Sequence, residues 1–197
     1  MEDRENIYPT RAADSLARER LSPKRYGHTL RVAATAEDLA RTHGLDPDRA
    51  RLAALVHDAA REMEPQDFLD LADEWGLPIG EPERESPKLL HGPVAAELAR
   101  RELGVEDEGV LRAVREHTTG RPGMGPLSLA LYVADKIEPA RDYPSVERLR
   151  RLAREDLRGA AAESLRRSIG HNEERGRPTH PASFETLEWL QEAEKGA

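Results

Sequence analysis

Cysteine is absent from the 197 residues of the chain, which removes disulfides, thiolate zinc sites and a thiol nucleophile together. Any metal must then be held by nitrogen and oxygen. Aromatic residues make up only 4%, so the core has to be built from Leu, Ala and Val. A chain rich in Ala, Leu, Glu and Arg favours helix, because these side chains lose little rotamer freedom there. No apolar run approaches the roughly 20 residues that span a bilayer, and the opening MEDRENIYPTRAAD lacks the apolar stretch of a signal peptide. An excess of basic charge is missing too. The net charge of −8 is the opposite of the basic surface that nucleic-acid phosphates demand. The expectation is a cytoplasmic protein with neither a membrane nor a nucleic-acid partner. A small phosphorylated substrate stays open, because a metal centre neutralises phosphate locally.

What is present is helical periodicity, with no convincing strand pattern, and the fold class expected is an all-α bundle. A short helix is predicted over Ala12 to Arg20. Ser22-Pro23 reads as an N-cap with proline at the first helical position, opening a helix through His43 that closes at Gly44. Asp46-Pro47 repeats the signal for a helix to Met63, which carries the doublet His57-Asp58. Asp67 to Trp75 predicts a short helix, and Leu77 to Lys88, with three prolines, predicts a loop. Further helices are expected over Pro93 to Leu103, Glu106 to His117, Leu127 to Ile137, Val146 to Ile169 and Ser183 to Glu194. Thr119 to Pro126 and Gly170 to Pro181 read as connections. The organisation predicted is one domain: an N-terminal segment and short helix (1–20), a core (21–143) and C-terminal helices packed on it (144–197).

Six ionisable side chains fall on core-facing positions or beside a helix start that packs inward: His28, His57, Asp58, His91, His117 and Asp135. A buried carboxylate or imidazole is costly unless something satisfies it. Asp135 interrupts the most apolar helix, LSLALYVADKI, where an unpaired charge would cost several kcal/mol. A divalent metal cluster would satisfy all six at once, and four imidazoles with two carboxylates suit Fe, Mn, Co, Ni or Zn.

The segments RYGHTLRVAATA, LAALVHDAAR, LLHGPVAA, REHTTG and YVADKIEPAR together resemble the YqeK-type branch of the HD superfamily, symmetrical diadenosine tetraphosphate hydrolases, over roughly Leu21 to Pro181. The resemblance implies an HD-domain helical bundle with a metal site in its core. It implies that His28, His57, Asp58 and Asp135 hold one metal and that His91 and His117 hold a second, with Asp58 bridging. It further implies iron as the usual cofactor and a cut of the tetraphosphate that yields two ADP, with water activated between two metals. Asp58, Arg61 and Lys136 are the expected catalytic residues. Arg61, Lys136, Arg141 and the Thr118-Thr119-Gly120 start of a Gly-rich loop are expected to bind substrate phosphates.

Two alternatives stand beside this expectation: an HD phosphohydrolase of nucleoside mono- or triphosphates, and an inactive nucleotide-binding module. Alarmone hydrolases carry Glu-Asp after the doublet, where this chain has Arg61-Glu62, and the Gly-Tyr-Pro signature of cyclic-dinucleotide phosphodiesterases is absent. His43 before Gly44 reads as a helix-end cation, and His171 and His180 as linker residues outside the site. The charged face of Glu147 to Arg167 reads as solvated pairing, with a homodimer contact as the other use for it.

Overall fold

Two of the early helices begin where the sequence supplies both a capping side chain and a proline. In the computed structural model, which describes residues 9–192, α1 (Thr10–Arg20) leads into α2 (Pro23–Thr42), where Ser22 accepts the Arg25 amide. Asp46 accepts the amides of Asp48 and Arg49 ahead of α3 (Pro47–Val56). The chain continues through α4 (Pro65–Glu74), α5 (Glu81–Glu85), a 3-10 turn over Pro87–Leu90, α6 (His91–Leu103) and α7 (Glu108–Glu116). It ends with α8 (Pro126–Ile137), α9 (Val146–Glu155), α10 (Leu157–Glu174) and α11 (Pro181–Glu192). Among the described residues there is no strand, and the all-α expectation holds. Residues 1–8 of the N-terminal segment and the expected end of the last helix at Glu194 lie outside the described residues.

The helices approach closely because their facing residues are small. Ala33, Ala36 and Ala40 of α2 and Ala50, Ala53 and Ala54 of α3 are all fully buried, and the two helices pack against each other. Helix α8 packs against α2, α3 and α7, so its apolar run is covered on nearly every side, from Ser128 to Asp135. Helix α10 packs on α8 and α9, and α11 on α10. The site residues are thereby drawn from helices that share one core.

Several boundaries differ from expectation. The helix predicted through Met63 stops at Val56, and the chain continues in tight turns, with Arg61 N bonded to Asp58 O at 2.7 Å. The cause is local: the Ala54 carbonyl, which a continuing helix would offer to the Asp58 amide, accepts the His57 ring instead. The single helix expected over Val146 to Ile169 is two. Asp156 leaves helical geometry at φ −142°, ψ 98° and caps α10 through the Gly159 amide, while the apolar period runs on across the break. The loop expected over Leu77 to Lys88 contains α5 and enters the 3-10 turn, with Pro82 and Pro87 standing at helix starts where a missing N–H costs nothing. Helix α10 continues through Gly170 to Glu174, which shortens the expected linker. His43 Nε2 lies 2.7 Å from Ala153 O, tying α2 to α9.

Helices α6 and α7 cross at Gly92. A Cβ there would stand 2.9 Å from Val114 O and 3.2 Å from Arg115 O, both backbone atoms. Alanine in place of glycine inside a helix normally gains about 1 kcal/mol. Here Gly92→Ala is expected to lower stability by about 1–3 kcal/mol, read from urea unfolding, and a gain in stability would refute the close approach.

Candidate metal centre

Three histidines of the site each close a helix or turn. His57 follows α3, His117 follows α7, and His91 follows the 3-10 turn while opening α6. Carbonyls at such ends have lost their intrahelical donors, and each ring uses the one three residues back. His57 Nδ1 lies 2.5 Å from Ala54 O, His91 Nδ1 2.6 Å from Lys88 O and His117 Nδ1 2.7 Å from Val114 O. A carbonyl can only accept, so each Nδ1 carries a proton, and in the neutral ring Nε2 is left with its lone pair. His28 lies in the middle of α2, where the carbonyls are engaged, and relies on a carboxylate: its Nδ1 is 3.1 Å from Glu138 Oε1. Glu138 is itself fixed by Arg31 Nε at 2.6 Å and by the Ala140 amide at 2.8 Å.

The four Nε2 atoms converge on Asp58. Its Oδ2 is 3.3 Å from His57 Nε2 and 3.9 Å from His28 Nε2. Its Oδ1 is 3.5 Å from His91 Nε2 and 3.8 Å from His117 Nε2. One carboxylate thus faces two pairs of imidazoles, one pair with each oxygen. His91 Nε2 and His117 Nε2 stand 3.0 Å apart, two lone pairs facing each other. The Thr118 hydroxyl, 3.2 and 3.3 Å away, has one proton for the two of them. His28 Nε2 and His57 Nε2 are buried without a hydrogen bond.

Buried polar atoms left in this state cost about 1–3 kcal/mol each, and a cation between them removes the cost. The donor set fits a divalent metal: the ligand atoms of His28, His57 and Asp58, and those of Asp58, His91 and His117, each lie within 4.8 Å of one another. Asp135 stands at the edge of the first group, with Oδ1 3.0 Å from His28 Nε2. Lys136 Nζ holds its Oδ2 and Arg141 Nη2 its Oδ1, both at 2.8 Å.

Electrostatics keep the two carboxylates ionised and the imidazoles of His91 and His117 neutral. Burial opposes ionisation of Asp58, but His57 beside it, with His117 and His91, holds the carboxyl far below the ordinary range. Burial likewise opposes Asp135, and Lys136, followed by His28, His57 and Arg141, outweighs it and leaves the carboxyl well below its usual value. Burial pushes His117 down to about 4, aided by His57, and pushes His91 well down, aided by His117 and Arg61. His57 goes the other way. Burial acts against its protonation, but Asp58 prevails and raises it.

The remaining expected residues divide. Arg61 reaches the centre, with Nη1 3.2 Å from His91 Nδ1, a nitrogen already committed as a donor to Lys88 O. No carboxylate pairs with Arg61 among the described residues, so a part-buried guanidinium faces the centre without an acceptor. Lys136 and Arg141 sit on Asp135, and Thr118 on the His91–His117 pair. Thr119 is one step away. Gly120 is turned aside: its amide donates to Glu116 O at 2.9 Å, and its Cα faces Thr186.

Sequence reasoning missed three residues. Arg25 Nη1 contacts Asp58 Oδ2 at 3.1 Å, and Arg31 and Glu138 brace His28. Arg25, His28 and Arg31 recur at steps of three on α2, a signal that was available. Glu138 follows the end of α8 inside the segment YVADKIEPAR, and no local period ties it to His28.

A helical bundle with buried His and Asp side chains around one carboxylate defines a class, and the chain belongs to the HD domain family, whose model matches residues 25–142. The chain is 38% identical to the symmetrical bis(5'-nucleosyl)-tetraphosphatase of Bacillus subtilis, over 88% of this chain and 92% of that protein. It is 39% identical to the protein of the same name from Halalkalibacterium halodurans, over 89% and 93%. Among solved structures it is similar to a predicted HD superfamily hydrolase involved in NAD metabolism from Clostridium acetobutylicum. That match has a TM-score of 0.90 and 34% identity, covering 93% of this chain and 97% of the other. No helix among the described residues is long and apolar enough to cross a membrane.

The histidine shifts set how stability depends on pH. In metal-free protein, His91 and His117 stay neutral when folded, whereas the unfolded chain protonates them below about 6.5. From about pH 6.5 down to about 4 the unfolded state binds more protons at these two, so stability falls with pH. His57, raised in the folded state, adds stability at low pH and loses it as pH rises, one residue against two. The thermal midpoint of chelator-treated protein should therefore drop between about pH 7 and about pH 5; a rising midpoint would show that His57 dominates.

Proposed function

We propose that this protein is a metal-dependent hydrolase of diadenosine tetraphosphate that cuts the phosphate chain symmetrically to two ADP. The observation that carries the reading is Asp58, with each carboxylate oxygen facing a separate pair of imidazole Nε2 atoms. The kinship with symmetrical tetraphosphatases at 38% and 39% identity supports the substrate. In this reading His28, His57, Asp58 and Asp135 hold one divalent ion, and Asp58, His91 and His117 a second. The ions are iron, with Mn, Co, Ni and Zn able to occupy the same nitrogen and oxygen donors. When bound, such ions supply Lewis acidity and a water acidic enough to attack phosphorus at neutral pH.

The chain does the rest. The fixed Nδ1–H bonds of His57, His91 and His117 hold the rings in the tautomer that presents Nε2. Arg61, lacking an acid partner, is placed to take a non-bridging phosphate oxygen, and Thr118 Oγ1 offers a hydroxyl at the edge of the same space. Asp135 opposes burial of Lys136 and raises its pKa, so the ammonium serves as a fixed positive charge rather than as a proton donor. Lys136 and Arg141 would meet phosphates on the Asp135 side, and Thr119 the nucleoside on the other. Residues 21–143 would supply the metals and residues 144–197 the outer wall of the substrate space. A second chain in the particle, and a cytoplasmic setting, belong to the same reading.

Asp58→Ala should abolish metal binding and turnover while leaving far-ultraviolet helicity near wild type. Chromatography after anaerobic incubation of wild type with iron and diadenosine tetraphosphate should give ADP alone; ATP with AMP would overturn the symmetric cut. Glu138→Gln leaves His28 without its carboxylate and should weaken metal binding by about 10–100-fold, read by metal titration. An unchanged affinity would reduce Glu138 to a structural brace.

A further inference from the structure

Two cavities of different size and character adjoin the metal centre. The larger, about 660 Å³, opens beside Thr118 and Thr119 and is walled by Leu89, Tyr132, Leu165 and Ile169. Its rim is the connection between α10 and α11, including Pro178 and His180. His180, read from sequence as a linker residue outside the site, is held there by Glu83 Oε1 at 3.0 Å and by the Ala182 amide at 3.0 Å. The smaller cavity, about 240 Å³, is lined by Lys136, Arg141, Arg167 and His171 together with Tyr143 and Ser164. Ser168 and Asn172 line both, so the two are neighbours across one turn of α10.

Size separates the ligands. Sites for organic ligands run from about 300 to 1,000 Å³; the large cavity falls inside that range and the small one below it. Apolar walls with a few hydroxyl and amide groups suit a base and ribose. A small space with two arginines and a lysine suits a phosphate.

We infer that this chain grips one nucleoside only, in the 660 Å³ cavity, and meets the other half of its substrate through phosphate alone, in the basic cavity beside Asp135. The inference rests on the hydrolase reading above and extends its substrate class. The second nucleoside is then dispensable, and a nucleoside 5'-tetraphosphate with a free end is a substrate. Water adds across the anhydride between the second and third phosphorus from the held nucleoside. The water oxygen stays on one of the two phosphorus atoms and the bridging oxygen leaves on the other with a proton. The products are a nucleoside diphosphate and pyrophosphate.

The test compares adenosine 5'-tetraphosphate with diadenosine tetraphosphate on iron-loaded full-length protein. ADP with pyrophosphate should form from the first at a kcat/KM within about tenfold of the second, a difference near 1.4 kcal/mol. Cleavage of the dinucleotide without cleavage of the free-ended compound overturns the inference, as does release of ATP with phosphate from the latter. ADP binding decides the cavity independently of turnover. Pro178→Trp, on the exposed rim, and Ile169→Trp, on the wall, should each raise the Kd for ADP at least tenfold and leave that for pyrophosphate unchanged. Wild-type ADP affinity in both variants refutes the assignment. Failure to cleave either substrate would sink the hydrolase reading, and the ADP measurements would still decide which cavity holds the nucleoside.

Discussion

The arrangement at the core rests on one buried carboxylate. Asp58 is nearly inaccessible and sits among four imidazoles, which present Nε2 to it at 3.3 to 3.9 Å. Moving an isolated carboxylate into a protein interior costs several kcal/mol, so the surrounding helices are constrained to deliver compensating groups. They do so from α2, from the ends of α3 and α7, and from the start of α6. The close packing of α6 on α7 at Gly92 follows from the same requirement, because His91 and His117 must bring their Nε2 atoms to 3.0 Å. A divalent ion accounts for this convergence of lone pairs; nothing else among the described side chains does.

The histidines are oriented by a shared device. Three of them end a helix or turn and spend Nδ1–H on the carbonyl three residues back, where helix termination has left acceptors free. Termination and orientation are therefore one event: at Ala54 the ring takes the acceptor that would have continued α3. His28 lies in mid-helix and cannot use this device, and Glu138 replaces the carbonyl. Arg31 and the Ala140 amide then hold Glu138. The difference explains why the centre is built from main-chain contacts on one side and from a chain of charged side chains on the other.

The charged rim divides by role. Arg25 pairs with Asp58, and Lys136 and Arg141 pair with Asp135, so each faces a carboxylate. Arg61 is part-buried, and a histidine nitrogen that already donates elsewhere is the polar atom beside it. In the proposed reading that mismatch is where a substrate phosphate binds.

The amino-acid sequence by itself determined the fold class and most helix starts, because caps, prolines and the 3.6-residue period act within a few residues. It also put forward His28, His57, Asp58, His91, His117 and Asp135 as one group, since each is an ionisable side chain in an apolar setting, and the structure brings them together. It did not reveal the break at Asp156, because the apolar stripe passes through it unchanged. Glu138 was not legible either: its partner His28 is 110 residues away, and no local period connects them. Nor could spacing show that Gly120 turns from the centre toward Thr186, or that His180 returns to the rim of the large cavity. Those facts depend on how α11 folds back on α10, which only tertiary packing decides. The doublet His57-Asp58 is the clearest division between the two. Its chemistry is written in two adjacent letters, but the separate pairs that its carboxylate oxygens face exist only where four helices meet.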